Sequence, residues 1–185
     1  MILHDLLGVL LSVFVLLLVL RFFVQFAGIS AHDPMAGAIY QTTRFVDVFS
    51  SIFPTVNAGR VSLAALALLF LVQVVELSLG FSARPLGGLS PMGLLVFSIF
   101  DFASLIISSC KWIIIASVVV SWIVALSGKV MPVVRLVLLL AEPILAPFRR
   151  ISPNLGMIDI SPIFAFFALY LIEMLLMGLR NSLVM

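Results

Sequence analysis

The stretch Ala141–Pro162, AEPILAPFRRISPNLGMIDISP, is a charged, proline-punctuated island between long apolar runs. It sets Glu142, Arg149, Arg150 and Asp159 among prolines at 143, 147, 153 and 162. Proline removes a helical hydrogen-bond donor, and its ring crowds the carbonyl four residues back. The stretch therefore cannot be one uninterrupted helix. A folded, charged bend between two greasy segments is the candidate functional surface of the chain.

What lies on either side explains why such a bend is needed. The chain has 185 residues, 64% of them hydrophobic and only 10% charged, where a soluble domain carries about 25% charged residues. Most of its surface is expected to face lipid, which gives an all-α membrane protein. A net charge of +2, spread along the chain, is too small for a nucleic-acid footprint; the basic residues instead set orientation across the membrane. Cys110 is the one cysteine and sits in an apolar run, which excludes a disulfide framework and a thiolate metal site. With only His4 and His32 besides, metal chemistry has almost no ligands, and no cofactor is expected. Asp5 sits where a signal peptide would be basic, and the apolar run continues past Arg21, so the first segment reads as an uncleaved span.

Four spans follow from lengths. Residues 6–28 form the first. Residues 29–60 carry Asp33, Arg44, Asp47 and Arg60 and are too polar to cross. Within them MAGAIYQTTRFVDVFSSIF, residues 35–53, spaces Ile39, Phe45, Val46, Phe49 and Phe53 as an amphipathic helix lying in the interface. Val61–Leu79 is the second span, with Gln73 and Glu76 inside it. After a turn-forming linker with Arg84, Pro85, Gly87 and Gly88, residues 92–127 would make a helix about 54 Å long, more than one membrane thickness. Residues 92–103 are expected at the surface or as an extension of a tilted helix, and 104–127 as the third span. A break near Ser108–Lys111 would instead give five spans. Residues 132–145 read as a second interfacial helix, and Ser161 followed by Pro162 as the N-cap and first position of the fourth span.

Shifting the chain by 98 to 99 residues superposes Ala27 on Ala125, Pro34 on Pro132, Pro54 on Pro153 and Ser62 on Ser161. Each half is then span, interfacial helix, loop, span. Residues 1–80 and 92–185 form two parallel helix-loop-helix repeats joined by the linker 81–91. Both intervening segments, 29–60 and 128–160, fall on one side with Arg44, Arg60, Lys129, Arg135, Arg149 and Arg150, against Arg84 and Arg180 on the other. Positive charge marks the cytoplasmic side, so those loops are expected in the cytoplasm.

The string EPILAPFRRISPNLGMIDISP resembles the signature of the YggT family of small multi-pass membrane proteins of bacteria and plastids. Glu142, Pro143, Pro147, Arg149, Arg150, Pro153, Gly156, Asp159, Ser161 and Pro162 match it one for one, and Leu20, Arg21, Gln25 and Pro34 match in the first half. The first loop departs from the pattern, because RFVDVFSS (44–51) lacks the proline and paired arginines. The resemblance implies an integral cytoplasmic-membrane protein without an established activity. Different branches are associated with division or nucleoid organisation, osmotic and potassium tolerance, and plastid cytochrome assembly.

The candidate residues fall into two sets. Glu142, Pro143, Pro147, Arg149, Arg150 and Asp159 form a lipid- or partner-binding motif. Two guanidinium groups suit lipid phosphates or a partner's carboxylates, although a positive-inside anchor explains them equally, and the carboxylates are expected to close the loop as an ion-pair cluster. Arg21, Gln73, Glu76, Lys111 and Glu173 are the intramembrane polar residues. Counting about 1.5 Å per residue, Lys111 and Glu173 lie close enough in depth to pair, whereas Arg21 is shallow enough to snorkel to the headgroups. Such residues mark either a static pair or an ion path. No nucleophile-base or phosphate-binding pattern is present, so no enzymatic activity is expected. The leading expectation is a scaffold or assembly factor that organises lipid or a membrane-associated complex, with a homo-oligomer compatible; the rival is an accessory to ion transport or osmotic adaptation.

Overall fold

The computed structural model describes residues 2–57, 59–79, 90–152 and 159–183. Helix α1 (Ile2–Phe26) is built mostly of Leu, Val and Phe and stops where Gly28 adopts a left-handed φ of 68°. Asp33 caps α2 (Pro34–Thr42): its carboxylate accepts the N–H groups of Met35 and Ala36, and Pro34 fills the first turn, where its missing donor costs nothing. The single amphipathic helix expected over 35–53 is split. It breaks at Thr43–Arg44 and resumes as α3 (Phe45–Phe49). Thr43 is the physical reason: fully buried, it turns its hydroxyl onto the Ile39 carbonyl at 2.6 Å, a local bond that bends helices.

A short hairpin that the sequence reading does not anticipate follows. Strands β1 (Thr55–Val56) and β2 (Val61–Ser62) pair antiparallel through a turn in which Asn57 and Gly59 have φ of 57° and 83°. Ser62 then caps α4 (Leu63–Ser78) by accepting the Ala65 N–H. Ser90 does the same for α5 (Pro91–Ser127) through Gly93. α5 is continuous for 37 residues, about 55 Å, so the break that a fifth span would need is absent and residues 91–103 prolong one long helix. Gly128, with φ 65°, ends it. α6 (Pro132–Arg149) and α7 (Ser161–Ser182) complete the chain.

Among the described residues, three helices are long and apolar enough to cross a membrane: α1 from Asp5 to Phe26, α5 and α7. α4 has 16 residues, about 24 Å, short of the roughly 20 residues that a hydrocarbon core asks for. α5 is the hub, with α4, α6 and α7 packed on it and α1 packed on α4. Small side chains allow the approach: Ala64 and Ala65 are fully buried in the core that also holds Leu18, Phe23 and Val24 of α1. α6 joins that core through Leu136, Leu140, Ala141, Ile144 and Leu145. The outside is apolar too, since Trp112, Trp122, Phe167 and Leu175 all lie exposed, and an apolar surface of that extent belongs against lipid or a partner.

Candidate functional site

Helices α5 and α7 run antiparallel, and their contacts give a depth scale. Arg180 grips Asp101 through both terminal nitrogens, at 2.6 and 3.2 Å. Lys111 donates to one oxygen of Glu173, and the Ser108 hydroxyl donates to the other at 3.0 Å. Further along, Trp122 and Pro162 line one cleft between the two helices. Ten residues separate Asp101 from Lys111 and eleven separate Lys111 from Trp122, about 15 and 16 Å. The Lys111–Glu173 pair therefore sits midway between the Asp101–Arg180 contact and the Trp122–Pro162 end, a distance matching the roughly 30 Å of a hydrocarbon core.

The other intramembrane polar residues do not join that pair directly. Gln73 donates to Glu76 one turn later on α4, at 3.3 Å. Both line a polar cleft of about 500 Å³ with Ser12, Asp101, Ser104 and Ser108, so Ser108 touches the cleft and Glu173 alike. Arg21 does not snorkel. It is 6% exposed, donates to Asp47 of α3 at 2.5 Å and lies over the Tyr40 ring of α2, 4.1 Å from its centroid. The helix pair α2–α3 covers the guanidinium, and a cation held on an aromatic face needs no headgroup. Burial raises the Tyr40 phenol above its ordinary value, and the Arg21 charge opposes the rise.

The elbow between α6 and α7 holds the second set. Pro143 and Pro147 do not end α6, which runs on to Arg149. Each ring deletes one turn's donor, yet Ala141, Ile144 and Leu145 pack into the core, and that packing holds the helix through both prolines. α6 ends at Arg149 and α7 begins at Ser161, with the elbow between them. Arg149 closes it by donating through Nη1 to Glu142 at 2.5 Å and through Nε to Asp159 at 3.0 Å. Asp159 uses its other oxygen to accept the Ser161 N–H at 2.9 Å. Ser161 is thus not the cap expected of it. It is the first residue of α7, its hydroxyl is buried without a partner among the described residues, and Asp159 does the capping.

Charge follows this geometry. Partial burial would lift the Asp159 carboxyl, but the bonds from Ser161 and Arg149 outweigh it and hold it below its ordinary value. Burial would likewise lower Arg149, and its two carboxylate partners outweigh that and raise it. Arg150 is exposed and makes no ion pair among the described residues. Pro153 and Gly156 lie outside the described residues. Above the clamp, Ser117, Ser121, Trp122, Glu142, Arg149 and Asp159 help line a cleft of about 590 Å³ between α5, α6 and α7. Among the described residues, no three His, Cys, Asp or Glu side chains converge to hold a metal ion.

Sequence reasoning missed Asp101, Ser108, Tyr40 and Asp47 as members of these clusters, and took Arg180 only as a loop charge. Spacing held the signal for α5 and α7. Asp101, Ser104, Ser108 and Lys111 recur at three, four and three residues, and Glu173 and Arg180 at seven, so each set forms one stripe on its helix. Tyr40 and Asp47 carried no comparable signal, because the kink at Thr43 decides where they point.

The family described as CCB3/YggT matches residues 96–180, which takes in the α5–α7 ladder and the elbow. The chain is 36% identical over 169 residues to an uncharacterized protein of Pseudomonas aeruginosa, PA0392, covering 90% of this chain and 84% of that one. It is 28% identical over 177 residues to an uncharacterized protein of Haemophilus influenzae, covering 95% and 92%, and 24% identical over 180 residues to the uncharacterized protein YggT of Escherichia coli K12, covering 91% and 86%. No solved structure matches it.

Proposed function

Because the chain belongs to the CCB3/YggT family, we propose that it is a non-catalytic protein of the cytoplasmic membrane whose α6–α7 elbow organises lipid or a membrane-associated complex. In this reading four helices cross the bilayer, α4 doing so with Val61, Ser62 and Leu79 at its ends. Two parallel repeats, 1–80 and 92–185, are supported by features that recur about one hundred residues apart: the left-handed Gly28 and Gly128, Pro34 and Pro132 at the head of their helices, and Ser62 and Ser161 at the start of the closing helix. The charges at Arg44, Arg60, Lys129, Arg135, Arg149 and Arg150 support loops 29–60 and 128–160 on the cytoplasmic side.

The observation that carries the proposal is the Arg149 clamp. Glu142 and Asp159 hold a half-exposed guanidinium at the mouth of a cleft, a placement that fits recognition at a headgroup or partner surface better than a buried structural pair. The test is recovery of lipid and protein with the chain purified in mild detergent. The Arg149→Ala, Arg150→Ala double variant is expected to insert normally and to lose material that the native chain retains. Equal recovery by an inserted double variant removes the elbow as the working site.

A further inference from the structure

From the cleft lining we infer that the α5–α7 face binds one phospholipid whose headgroup carries both a phosphate and a primary ammonium, with the ammonium on Glu142 and the phosphate on Arg149. The inference rests on the elbow being the working surface and names what it takes.

Two clefts meet there. The one beside the clamp carries Ser117, Ser121, Glu142, Arg149 and Asp159. The one beyond it, also about 590 Å³, is lined only by apolar and aromatic residues, among them Ile115, Val119, Phe166, Phe167 and Tyr170. Val118, Trp122 and Pro162 line both. The apolar slot follows α7 from Pro162 to Tyr170, eight residues or about 12 Å, and stops short of Glu173. Half of a hydrocarbon core is about 15 Å. A slot that opens at a charged rim and ends near the bilayer centre has the depth of one leaflet, which suits an acyl chain. A helix of a second copy would have no reason to stop at the midplane.

Charge selects the headgroup. One guanidinium between two carboxylates leaves the clamp with an excess negative charge, and the adjacent Arg150 does not line the cleft, so a purely anionic headgroup brings a second like charge to the clamp. Arg149 Nη2 and Glu142 Oε1 have no hydrogen-bond partner among the described residues. A phosphate accepts from the first, and an ammonium donates to the second. A quaternary ammonium has no N–H to give, which favours a primary amine.

The native chain is reconstituted into nanodiscs of equimolar phosphatidylethanolamine, phosphatidylglycerol and phosphatidylcholine, then extracted and weighed intact by native mass spectrometry. The ratio of retained phosphatidylethanolamine to either other lipid should exceed its bulk value of one roughly three- to fivefold, the range of one charge-assisted contact. Glu142→Gln with Asp159→Asn should turn the preference toward phosphatidylglycerol. Val119→Trp, at a lipid-exposed position of the slot, should release lipid with the clamp untouched. Headgroups retained at bulk ratio, phosphatidylglycerol preferred by the native chain, or a doubled mass with no lipid would each overturn the inference. If partner recovery still falls in the Arg149→Ala, Arg150→Ala variant while the headgroup ratio stays flat, the lipid inference is lost and the elbow proposal stands; if neither moves, both are lost.

Discussion

At the scale of single residues, the Lys111–Glu173 pair is costly to disturb. Its side chains are 17% and 11% exposed. Removing one partner strands a charge where insertion costs about 2.5 to 3.5 kcal/mol, so Glu173→Met should lower stability by about 3 kcal/mol. Lys111→Met together with Glu173→Met should restore much of that loss, because no charge is left behind. Thermal unfolding in detergent checks this, and a double variant no better than the single would show that the pair is not what holds the helices. This contact was legible in the sequence, since depth along two apolar runs is a matter of counting. The clamp was legible in part: Glu142 and Asp159 flank the arginines, but spacing could not say that Arg149 takes both carboxylates while Arg150 takes neither. Arg21 was misread, because its partners belong to a helix pair whose bend depends on one hydroxyl.

Elements show the same division. Where a helix is long and uniformly apolar, its existence follows from composition, and its ends follow from Ser62, Ser90, Gly28 and Gly128. Short amphipathic pieces are decided by contacts that the pattern does not contain, which is why α2 and α3 part at Thr43 and why α6 survives two prolines. Backbone proximity adds a constraint of the same kind. A methyl at Gly37 of α2 would lie 2.7 Å from the Ala31 carbonyl oxygen, a contact with backbone that only movement of the helix relieves. Gly37→Ala should therefore cost about 1 to 3 kcal/mol. Gly178→Ala on α7 meets nothing within 4 Å and should gain up to about 1 kcal/mol from helix propensity. Midpoints in the same micelle compare the two, and equal shifts would remove the close approach of α2 to the preceding loop.

For the whole molecule, the reading of sidedness makes a direct prediction. In a Cys110→Ser background, cysteines placed at Arg60 and Lys129 should react with a membrane-impermeant maleimide only from the cytoplasmic side, and cysteines at Ser90 and Ser182 only from the other. Labelling of Arg60 and Ser90 positions from one side would break the assignment of α4 as a crossing. The spacing of the polar contacts between α5 and α7 has a mechanical corollary. Sliding one helix by a single turn, about 5.4 Å, would part Asp101 from Arg180 and Lys111 from Glu173 together. A piston stroke of one turn between these two rods would therefore have to break both ion pairs at once.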